Sequence, residues 1–146
     1  MNPVQVGWDG IERPPWLPGV RRFCRAALRA LGVEGWELSV LVTGDELVSD
    51  LNRRYRGIDA TTDVLSFSQL EGEAIPAAAT VAGDVVISLP TTERQAREAG
   101  VPLEEELRRL LVHGILHLKG MDHPQGSDEM LAVQEALLSR LKERLF

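Results

Sequence analysis

All three histidines of this 146-residue chain, His113, His117 and His123, fall inside eleven residues that read HGILHLKGMDH. The stretch from Pro102 to Lys119 has helical apolar spacing, with proline where a first helical turn accepts it. His113 and His117 are then i and i+4, on one helix face, and their imidazoles can converge on one ion. Gly120 permits the left-handed turn that ends a helix, after which the chain can fold back and bring His123 in as a third ligand. Three neutral imidazoles suit one zinc ion per chain, and three protein ligands leave a fourth position open, as catalytic rather than structural zinc sites do. Asp122 can orient a ligand through its second ring nitrogen or carry a proton, and it serves equally well as a turn residue. The competing explanation is a helix end decorated with cations that favour the dipole.

Other metal chemistries are narrowed by composition. Cys24 is the one cysteine, so neither an internal disulfide nor a thiolate cluster is available and a metal site must draw on His, Asp or Glu. The length fits one domain, residues 1–146. No apolar run approaches the eighteen or so residues of a membrane span, and the first thirty residues lack a secretory pattern, so no membrane partner and a cytoplasmic location are expected. A formal net charge of -6 argues against generic polyanion binding but leaves room for a local basic site. Of the sixteen basic residues only Lys119 and Lys142 are lysines. Arginine is the better partner for phosphate and carboxylate forks, although codon bias produces the same skew.

The remaining pattern predicts a strand at Val4 to Trp8 and a helix from Val20 to Leu31 with Arg21, Arg22, Arg25 and Arg29 on its polar side. A strand follows at Trp36 to Thr43, then a helix opened by a Thr43 and Glu46 capping box, with Leu47, Leu51 and Tyr55 inward and its end at Gly57. Asp63 to Ser68 and Gly83 to Leu89 read as strands either side of a loop at Glu71 to Thr80. A short helix begins at Pro90 and Thr91 and closes at Gly100, and Ser127 caps a last helix that buries Met130, Val133, Ala136, Leu137 and Leu141. Four strands and about five helices, clustered late, predict an α+β sandwich around a small mixed four-stranded sheet.

The spacing HxxxHxxGxxH is that of the metzincin metalloproteases, which place a glutamate general base directly after the first histidine. Here that residue is Gly114, which disfavours peptide hydrolysis. In three blocks the chain resembles the YbeY family of bacterial endoribonucleases that act in ribosomal RNA maturation. These are LNRRYRGIDATTDVLSFS from Leu51, GDVVIS from Gly83 and HGILHLKGMDHPQGSDEM from His113. With the intervening helices they cover roughly the C-terminal two-thirds. Met121 stands where the family usually has an aromatic, and Ser68 where it usually has proline.

The resemblance implies a zincin-like fold, zinc on His113, His117 and His123, and Arg56 as a functional residue in the cleft. Arg53, Arg54 and Arg56 form a local basic cluster at a helix end, where cations are favoured in any case. The expected function is zinc-dependent cleavage of single-stranded RNA in rRNA maturation and ribosome quality control. Arg56 then clamps phosphate, Arg53 and Arg54 contribute to substrate binding, and Asp122 is a candidate proton carrier. The family also implies partners: rRNA of the small subunit, a small-subunit ribosomal protein and an Era-type GTPase. Two alternatives stand beside this reading: a non-enzymatic ribosome-assembly factor with a structural metal, and another metal-dependent hydrolase.

Overall fold

The computed structural model describes residues 2–68, 83–120, 127–142 and 144–145. Alternating apolar residues build four strands, β1 (Val4–Trp8), β2 (Leu38–Thr43), β3 (Val64–Ser68) and β4 (Gly83–Ser88). They form one sheet in the order β1-β2-β4-β3, with β1, β2 and β4 parallel and β3 antiparallel to β4. Five helices accompany it: α1 (Leu17–Ala30), α2 (Asp45–Arg56), α3 (Leu89–Ala99), α4 (Leu103–Leu118) and α5 (Ser127–Arg140). The α+β architecture with a mixed four-stranded sheet is the one expected.

The strand period of two divides the apolar residues between two cores. Val40, Val42, Val85 and Ile87 pack with Phe23, Leu28, Leu111 and Ile115 of α1 and α4 in the larger one. On the opposite face Leu65 and Val86 meet Val48 of α2 in a smaller cluster. Cys24 is fully buried in the larger core, where burial pushes its thiol up to about 12, so it serves as packing.

Several local expectations are corrected. Thr43 does not cap α2: its hydroxyl donates to Asp9 O at 2.7 Å, which ties β2 to the chain leaving β1, and Gly44 takes the N-cap position without a side-chain bond. Tyr55 of α2, expected to face inward, is 58% exposed and meets Phe67 edge-on at an open groove over the sheet face. The helix stops where predicted, at Gly57, whose φ of 72° is the left-handed cap that glycine adopts without strain. Leu89 begins α3 instead of ending β4, because the Ser88 hydroxyl accepts the Thr91 amide and starts the helix there. Met130 and Leu137 on α5 and Leu141 just beyond it are buried as predicted, while Ala136 faces outward and Gln134 is buried in its stead. The Glu71 to Thr80 loop and the capping side chain of Ser127 lie outside the described residues.

Candidate metal centre

The last two turns of α4 carry the chemistry. Val112, Ile115 and Leu116 are buried in the core, which turns the stripe holding His113 and His117 to the helix margin. Their Nε2 atoms meet at 2.8 Å and the ring centroids are 4.4 Å apart. Two imidazole lone pairs that close repel each other unless one electrophile, a proton or a metal ion, serves both. Partial burial, followed by the neighbouring His117 charge, lowers the His113 pKa and favours the neutral, ligating imidazole. The donor set therefore fits a borderline-soft cation such as zinc.

Among the described residues no group of three His, Cys, Asp or Glu side chains converges, so the structure brings together two of the three expected ligands. His123 and Asp122 lie outside the described residues, as does Met121.

A residue that sequence reasoning missed holds His113 in place. Its Nδ1 lies 3.2 Å from Gln134 Oε1 on α5, and an amide oxygen only accepts. A proton on Nδ1 donated to this oxygen leaves Nε2 with the lone pair facing His117. The available signal was a polar residue on the inner stripe of an amphipathic helix.

His113 and His117 line a cleft of about 580 Å³ whose other walls are Arg56, Thr62, Asp63, Ser66 and Ser68. Arg56 is held there by contacts that include Nη2 donating to Ser66 O at 2.7 Å, Nη1 donating to Tyr55 O at 3.4 Å, and the guanidinium lying 4.9 Å from the Phe67 ring centroid. Arg53 and Arg54 go elsewhere, both to Asp50, whose carboxyl they hold below the usual range. The three-arginine cluster thus divides, one member to the histidine cleft and two to the solvent face of α2. Asp63, read from the sequence only as the start of a strand, instead precedes β3, accepts the Val64 amide through Oδ1 at 2.8 Å and lines the cleft.

Position 114 explains the absent metzincin glutamate. Gly114 faces the sheet, and a Cβ there would lie 2.9 Å from Val85 Cγ1 and 3.2 Å from Ser66 Oγ. The Ser66 hydroxyl also donates to Gly114 O at 3.0 Å. The space that a general-base carboxylate needs is filled by β3 and β4.

Comparison with known proteins identifies the family of the chain. The endoribonuclease YbeY family profile matches residues 11–142. The endoribonuclease YbeY of Treponema denticola is 46% identical over 97% of this chain and 94% of its own length. That of Treponema pallidum strain Nichols is 41% identical over 96% and 90%, and that of Aquifex aeolicus 46% over 86% and 84%. The solution structure of a Thermotoga maritima protein superposes with a TM-score of 0.65 at 25% identity, covering 92% of this chain and 85% of that one. With the profile spanning nearly the whole chain and relatives this similar over most of both lengths, the protein belongs to the endoribonuclease YbeY family.

Proposed function

We propose that the chain is a zinc-dependent endoribonuclease acting on single-stranded RNA, with one ion held by His113, His117 and His123. The observation that carries this reading is the meeting of His113 and His117 Nε2 atoms in a cleft shared with Arg56. When bound, zinc supplies Lewis acidity toward a phosphoryl oxygen. The chain's own residues do the rest. Arg56 presents a planar guanidinium whose geometry matches phosphate, and anchorage by Ser66 and Phe67 removes the entropy cost of orienting it. It offsets the charge that grows on the phosphorus oxygens in the transition state. Asp122 is assigned as proton carrier from its place in the sequence between Gly120 and His123. Arg53 and Arg54, already paired with Asp50, add a weaker attraction for the RNA backbone.

The substrate we assign is rRNA of the small subunit, in its maturation and in ribosome quality control in the cytoplasm. A small-subunit ribosomal protein and an Era-type GTPase are the proposed partners. No described helix is long and apolar enough to cross a membrane.

Cleavage of a defined single-stranded RNA, with end-group analysis of the product and His113→Ala as control, tests the reading. A wild-type protein that binds zinc and assists ribosome assembly without cutting RNA would establish the non-enzymatic alternative. The hydrolase alternative with peptide substrates is opposed by the filled space at Gly114.

A further inference from the structure

We propose that Gln134 is the positioning residue of the metal centre, selecting the His113 tautomer that aims Nε2 at the ion. The inference rests on the metal reading above and adds to it a residue on a different helix. Gln134 is only 4% exposed, although glutamine is usually a surface residue. Burying an amide is unfavourable unless its polar atoms are bonded, and the partner here is His113 Nδ1 at 3.2 Å. The contact spans 21 residues and crosses from α5 to α4.

An imidazole in water exchanges its proton between two nitrogens. An acceptor fixed at Nδ1 removes that freedom and leaves Nε2 unprotonated. It also sets the ring rotation, because the acceptor must lie near the ring plane to receive the proton. An amide oxygen does this without adding charge: a carboxylate would raise the basicity of the ligand, and an apolar residue would leave Nδ1–H buried and unbonded.

The experiment uses the full chain with Gln134→Leu, which keeps bulk and removes the acceptor, and Gln134→Glu, which keeps an acceptor oxygen. Zinc affinity is measured by competition with a chromophoric chelator. The histidine tautomers of the zinc-free protein are read by long-range nitrogen-proton NMR, with His113→Ala giving the assignment. Gln134→Leu is expected to weaken zinc binding about 10- to 100-fold, the usual cost of losing such a partner. It should also convert the His113 signal from a single Nδ1–H form to a mixture. Gln134→Glu should bind zinc at least as tightly as wild type and keep the single tautomer. Wild-type zinc affinity together with an unchanged tautomer in Gln134→Leu overturns the proposal, and so does equal weakening by both variants, which marks a packing role. If His113→Ala retains full zinc, the metal reading fails by itself, and the tautomer in the zinc-free protein still decides what Gln134 does.

Discussion

Gly114 and Val85 are packed so closely that a single added carbon at residue 114 would come within 2.9 Å of Val85 Cγ1. This contact presses the histidine-bearing end of α4 onto β4 and forbids the side chain that proteases with the same histidine spacing use as a base. Gly114→Ala gains up to about 1 kcal/mol in helix propensity but overpacks a buried site, which costs about 1–3 kcal/mol. We expect a net loss of about 1 kcal/mol in urea unfolding. Gly114→Glu should be strongly destabilised and should gain no peptidase activity, since its carboxylate has no room beside the sheet.

His113→Ala and His117→Ala should each lower zinc content sharply from about one equivalent, read by atomic emission on purified protein. Unchanged content in both variants would remove the metal from this site. The folded core should survive either change, because the two rings sit at the helix margin rather than among the buried residues.

Arg56→Ala should leave zinc content and thermal stability near wild type and slow single-turnover RNA cleavage about 100- to 1000-fold, as loss of a donor to a transition state does. Arg56→Lys should recover only part, since an ammonium cannot reproduce the planar fork. Arg53→Ala and Arg54→Ala should change cleavage little and weaken RNA binding mildly at low salt, because both side chains are more than half exposed and already face Asp50. Cleavage by Arg56→Ala at the wild-type rate would remove this residue from the mechanism.

Acid stability should depend on Asp45. Its carboxylate accepts from the hydroxyls of Ser88, Thr91 and Thr61, joining the start of α2 to the start of α3, and these bonds, Ser88 first, hold its pKa below the ordinary value. A depressed folded-state pKa means the stabilisation is complete above the unfolded value, about 3.9, and is lost as pH falls through the folded one. Asp45→Asn should therefore cost about 1–2 kcal/mol at pH 7. The difference from wild type should shrink below about pH 4 and vanish once both are neutral. Urea melts at pH 7 and in the acid range check this; a difference constant across the range would show that the bonds do not need the charge.

What could be read from the sequence was local. Helical spacing placed His113 and His117 on one face, and the glycines at 57 and 100 stopped α2 and α3 because a left-handed cap needs no information beyond its own turn. Alternation in GDVVIS and VLSFS was enough to identify strands. The site's finer arrangement depended on which distant segment fills the space beside each residue. Arg53, Arg54 and Arg56 look equivalent in sequence, yet only Arg56 finds a carbonyl and a ring on β3, while its neighbours meet Asp50 one helical turn back. Tyr55 had the spacing of a core residue and came out 58% exposed, at the side of an open groove over the sheet face that it lines with Leu41, Phe67 and Val86. Gln134 and Gly114 acquired their meaning from His113 and Val85, which lie 21 and 29 residues away along the chain. Backbone periodicity is set within a few residues, whereas packing and hydrogen-bond partners are set by the tertiary fold, and that is where this site was decided.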